Sequence, residues 1–88
     1  MKDAEVRALF ADIVGEIVGF DPWVISESDP DTTLGNFGLV IDEYPALGTA
    51  IRTKFGIELP PTPGWMGMTV PQAVSLIQEK QREANTGR

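Results

Sequence analysis

Two groups of carboxylates in this 88-residue chain are close enough in sequence to suggest chemistry: Glu27, Asp29 and Asp31, and then the adjacent pair Asp42 and Glu43. The first alternates like the opening of a calcium loop, but the glycine and terminal glutamate such a loop needs are missing at the right offsets. The second could act as a general acid–base pair. Neighbouring carboxylates at a helix start point different ways, however, and serve far more often to satisfy the first-turn amides and the helix dipole. With no cysteine and no histidine, thiol nucleophiles, disulfides, imidazole bases and the common zinc sites are excluded. No nucleophile–base pair, phosphate loop or metal set can be assembled, so the expectation is a protein that is not an enzyme, with no catalytic residue, metal or cofactor.

Hydroxyl chemistry is limited as well. From Asp29 to Val74 the chain holds no serine, and the threonines nearest Ile41 are Thr32, Thr33 and Thr49. Acidic residues dominate the charge: the net value is -6, and Asp12, Glu16, Asp21, Glu27, Asp29, Asp31, Asp42 and Glu43 lie between Arg7 and Arg52 with no Lys or Arg among them. Such a segment repels nucleic acid and anionic membrane and attracts a basic protein surface; a solvated, solubilising face is the plainer account of the same charges. No apolar run is long enough for a signal peptide or membrane span, which sets the expectation of a cytoplasmic protein.

The elements that must position these residues are helical. Val6, Leu9, Phe10, Ile13, Val14, Ile17 and Val18 recur at intervals of three and four, which predicts one amphipathic helix over the first twenty residues, stopped by Gly19 and Asp21-Pro22. Residues 20–41 show no sustained period and read as a long loop anchored by Phe20, Trp23, Ile25, Leu34 and Phe37. A second helix should start near Asp42, acting as its cap, with Pro45 early in it, a buried stripe of Tyr44, Leu47, Ile51 and Phe55, and Gly56 at its end. Pro60, Pro61, Pro63, Gly64 and Gly67 argue against a full helical turn before Met68. Thr69-Val70-Pro71-Gln72 is a capping box, and Val70, Ala73, Val74 and Ile77 face inward from a last helix. Beyond Lys80 the polar composition predicts fraying, so residues 81–88 are expected to form a tail. One domain spanning 1–88 follows: all-α, a small up-and-down bundle of three long helices with room for a short one between the last two. Phe10, Ile13, Ile17, Leu47, Ile51, Phe55, Val74 and Ile77 should share its core. Gly15 and Gly19 serve internal packing or the helix end.

The chain resembles the acyl carrier protein family over most of its length, most strongly from Phe37 to Ile77. The phrase Phe55-Gly56-Ile57-Glu58-Leu59-Pro60, followed some ten residues later by Thr69-Val70-Pro71-Gln72-Ala73-Val74, is similar to that family's "F-x-I-E-I-P … T-V-x-D-A" spacing. Thr33-Leu34 and Phe37-Gly38 match more loosely the family's approach to its second helix. Counting back from Phe55 without a gap, the family's Gly-x-Asp-Ser-Leu motif falls on Gly38-Leu39-Val40-Ile41-Asp42. The glycine is kept; the Asp-Ser is Val40-Ile41. The resemblance implies an acyl-carrier-like bundle, but a phosphodiester to 4'-phosphopantetheine needs a hydroxyl, and Ile41 has none.

The first functional expectation is therefore an acyl-carrier-like module without the arm, docking on a protein partner with a basic surface, such as a synthase or acyltransferase of fatty-acid or polyketide biosynthesis. The resemblance places two regions near one another, and together they form the expected partner-binding set: Val40, Ile41, Asp42, Glu43 and Tyr44, with Trp65 and Met66 of the proline-rich loop. Either these apolar residues fill the core or they form a surface patch rimmed by the two acids. The alternatives are a working carrier with 4'-phosphopantetheine on another hydroxyl, Thr32, Thr33 or Thr49 being nearest, and a small lipid-binding bundle. Arg52 and Lys54 place positive charge late in a helix that is commonly acidic throughout in the family.

Overall fold

Helix α1 (Asp3–Val18) carries the apolar stripe that the spacing predicts: Val6, Phe10, Ile13 and Val14 are buried and Leu9, Ile17 and Val18 pack partly against them. It ends where glycine is required, since Gly19 adopts φ 86° and its N–H donates to the Gly15 carbonyl at 2.8 Å. The computed structural model describes residues 2–86. The other α-helices are α2 (Pro22–Ser26), α3 (Tyr44–Phe55) and α4 (Val70–Thr86), with short 3-10 turns at Leu34–Phe37, Ile41–Glu43 and Pro63–Gly67. The chain is thus an all-α bundle, and among the described residues the only strand-like pairing is an isolated antiparallel bridge between Thr33 and Thr69.

Helix α1 packs against α2, α3 and α4. Phe10, Leu47, Ile51, Ala73 and Ile77 reach 0% exposure on the shared core, with Phe55 and Val74 close behind, while Ile17 lies at its edge. Among the buried residues outside the expected stripes and anchors are Leu39, Ile57 and Leu59. Leu39 anchors the loop, and Ile57 and Leu59 alternate with exposed Glu58 along the extended segment after Gly56. No buried side-chain nitrogen or oxygen lacks a hydrogen-bond partner among the described residues, and the core is built almost entirely of apolar side chains.

The loop of residues 20–41 departs from expectation in two ways. It contains α2, started by Pro22 in the first helical position after Asp21. Five residues with one buried side chain, Ile25, are too short to show a period. And while Ile25, Leu34 and Phe37 do anchor the loop, Phe20 and Trp23 are 46% and 65% exposed.

The proline- and glycine-rich stretch also folds more regularly than its composition suggests. Its 3-10 turn buries Trp65, whose ring centroid lies 6.3 Å from that of Phe10. The two 3-10 segments are tied by the Leu34 N–H donating to the Met68 carbonyl at 2.8 Å. They approach so closely that a Cβ on Gly35 would lie 2.9 Å from the Met66 carbonyl oxygen.

Helix α4 opens on the capping box read from the sequence. The Thr69 N–H donates to Gln72 Oε1 at 3.0 Å and the Gln72 N–H to Thr69 Oγ1 at 3.3 Å. It then continues to Thr86, past the Lys80 boundary where fraying was expected; of that tail, Gly87 and Arg88 lie outside the described residues.

Candidate functional site

The start of α3 is built from the backbone outward. Gly38, at φ 97°, turns the chain out of the 3-10 turn of Leu34–Phe37. Leu39 then drops into the core at 1% exposure. With one residue pinned inward, extended Val40 (φ -125°, ψ 163°) projects the other way, and Ile41 opens the next turn. Their exposures are 48% and 55%.

Glu43 locks this arrangement. Its N–H donates to the Val40 carbonyl at 3.0 Å, and its Oε1 accepts from the Val40 N–H at 3.0 Å. This is the backward half of a capping box; valine offers no side-chain oxygen for the forward half. The sequence assigned the cap to Asp42, but Glu43 supplies it, because only a longer side chain standing three residues on can reach back to the Val40 amide. Asp42 is left exposed and without an ion pair among the described residues.

The expected partner-binding set is therefore divided. Val40, Ile41 and Asp42 form an exposed edge, and half-buried Glu43 stiffens it. Tyr44 and Trp65 belong to the core instead, a correction to the set: Tyr44 is 7% exposed with its hydroxyl donating to the Pro63 carbonyl at 3.3 Å, and Trp65 is 2% exposed against Phe10. Both rings are large enough that a small bundle gains more by burying them than by presenting them. Met66 is half-buried behind Gly35. Val40 and Ile41 keep about half of their surface exposed, so these two lie at the surface, while Tyr44 and Trp65 lie in the core.

The other carboxylates have local roles. Asp29 Oδ1 accepts from the Asp31 N–H at 2.8 Å, a turn closed by its own side chain, and no group of acidic residues among the described ones could hold a metal ion. Of the threonines, Thr32 and Thr33 are half-buried, with the Thr33 backbone bridged to Thr69, and Thr49 is exposed within α3. Thr49 lines a shallow recess with Pro45, Gly48, Arg52 and Pro61. Its one charged pair there, Arg52 with Glu58 at 3.5 Å, is solvent-exposed on both sides and adds little.

Phe20 and Trp23 are the exposed apolar residues that the sequence reading placed inside. The signal that could have placed them outside is their flanking: Phe20 stands between Gly19 and Asp21, and Trp23 one residue beyond Pro22, at a helix end and start where no stripe continues. Comparison of the chain with protein-family models, with curated proteins and with solved structures returns no match.

Proposed function

We propose that this chain is an acyl-carrier-like domain without a pantetheine arm, which docks on a biosynthetic enzyme through the edge Val40, Ile41 and Asp42. The observation that carries the reading is the exposure of Ile41, 55%, at the residue opening the turn that leads into α3. The sequence resemblance puts the arm-bearing serine at that position, where a prosthetic group must reach solvent. A chain that carries acyl groups needs a hydroxyl there; one that only docks can present a β-branched apolar side chain, which gains free energy when a partner covers it. Adjacent Asp42 and the acidic segment around it favour a basic partner surface, such as that of a synthase or acyltransferase. The lipid-binding alternative rests on the apolar core alone, and that core is already filled by side chains such as Phe10, Leu34, Leu47 and Ile77, all at 0% exposure.

The experiment restores the missing motif. The natural chain and the double variant Val40→Asp, Ile41→Ser are each incubated with coenzyme A and a broad-specificity phosphopantetheinyl transferase, then weighed. The natural chain should gain no mass and the variant should gain one pantetheine arm. Modification of the natural chain overturns the loss of the arm. A folded variant that stays unmodified overturns the carrier-like reading.

A further inference from the structure

A second surface stands apart from the start of α3. Helices α1 and α3 leave between them an open groove of about 590 Å³. Its floor pairs Ile13 and Ile17, one turn apart on α1, with Ala46 and Ala50, one turn apart on α3. Branched side chains facing alanines leave a channel along the helices rather than a closed seam. Asp12 and Glu16 stand along its α1 side, and Phe20 and Pro22 form its lip. Phe20 is held there rather than loose: its ring packs edge-on against Phe37 at a centroid distance of 6.3 Å. The approach of the turn to α1 is fixed too, since a Cβ on Gly15 would sit 2.6 Å from the Phe20 carbonyl oxygen. Beyond the lip, Trp23 is 65% exposed.

We infer that this groove is a docking site for a short basic amphipathic helix of another protein. From Ala46 to Lys54, both within α3, the channel runs about 12 Å, at 1.5 Å per residue, the length of roughly two helical turns. Apolar residues at i, i+3 or i+4, and i+7 of a partner helix would occupy it, with Phe20 as an aromatic contact at one end. Charge selects the occupant. Asp12 and Glu16 line the channel, Lys54 at the α3 end is the one cation lining it, and no Lys or Arg lies between positions 7 and 52. A second copy of the chain would bring the same carboxylates face to face across a two-fold axis, and an anionic membrane would be repelled. A small molecule finds an open channel with no convergent hydrogen-bond donors. The inference does not depend on carrier ancestry, because it uses none of the residues at the start of α3.

The test uses the full chain and three synthetic helical peptides of equal length: one with leucines at i, i+3, i+4 and i+7 and lysines elsewhere, its glutamate counterpart, and a scrambled lysine peptide. Binding is followed by calorimetry and by backbone amide shifts. Saturable binding of the patterned lysine peptide alone, with shifts confined to residues 12–23 and 46–54, is expected. Glu16→Lys and Phe20→Ala should each weaken it about tenfold, Ala50→Leu should block it by filling the channel, and Ile41→Ser should leave it unchanged. The inference is overturned if the patterned lysine peptide does not saturate, if the scrambled or glutamate peptide binds equally well, if the shifts centre on Val40 and Ile41, or if phosphatidylcholine vesicles or a second copy of the chain occupy the groove instead.

Discussion

Val40-Ile41 and Phe20-Trp23 are both exposed apolar pairs, yet they are exposed for different reasons. The first is a flush edge produced by alternation: Leu39 is pulled into the core, so its neighbour must face out, and the Glu43 carboxylate holds the backbone that way. The second is the lip of a concavity, produced by close packing where glycine lets the turn after α1 fold back on the helix. The lesson is that exposure of an apolar side chain is a by-product of what is fixed beside it. Substitutions beside each pair should therefore be costly, and substitutions of the pairs themselves nearly free.

The sharpest contrast in size is between the core and either patch. Phe55→Ala should cost about 3–5 kcal/mol, read as a lower denaturation midpoint, because Phe55 is 7% exposed at the end of the α3 stripe. A melting curve like the parent's would show that α3 is not held by its buried face. Leu39→Ala should cost about 2–5 kcal/mol, and amide-exchange measurements should show the turn before α3 loosening with it. If Leu39→Ala were as mild as a surface change, alternation would not be what pushes Val40 outward.

Gly15→Ala tests the other patch. The added Cβ meets a backbone oxygen at 2.6 Å, which a rotamer change cannot relieve, so a loss of about 1–3 kcal/mol is expected, with the Phe20–Phe37 ring contact disturbed in amide and aromatic shifts. Removing the Glu43 carboxylate as Glu43→Ala should cost less, about 1 kcal/mol, since its bond to the Val40 N–H is exposed. Protection of the Val40 amide from exchange should fall in that variant and persist in Asp42→Ala. The smallest effects belong to the patches: Ile41→Ser and Trp23→Ala should each change stability by no more than about 0.5 kcal/mol. A large loss in either would mean that the side chain is packed, and no docking role would be needed to account for it.

Much of the fold was legible because it rests on local periodicity. The stripe of α1, the Tyr44, Leu47, Ile51 and Phe55 face of α3, the capping box of Thr69 and Gln72, and the glycine stops at 19 and 56 are patterns within a few turns of chain. They determine helices, ends and inward faces with no knowledge of what lies opposite. The absence of histidine and cysteine, and of serine from Asp29 to Val74, equally needs no structure.

Where side chains end up outside the long helices was decided by tertiary structure. Trp65 sits inside because Phe10 meets it from a distant part of the chain, and only the tertiary structure supplies the Pro63 carbonyl to the hydroxyl of Tyr44, a residue whose inward place on α3 periodicity had already set. Ile25, Leu34 and Phe37 take the inward places along the loop, while Phe20 and Trp23 stay outside. The cap passed from Asp42 to Glu43 because the turn at Ile41–Glu43 brings the Val40 amide within reach of the longer carboxylate. Periodicity says that a residue will be buried only where a regular element repeats. In a loop, burial depends on which distant atoms arrive first, and that information lies in the packing of the whole chain.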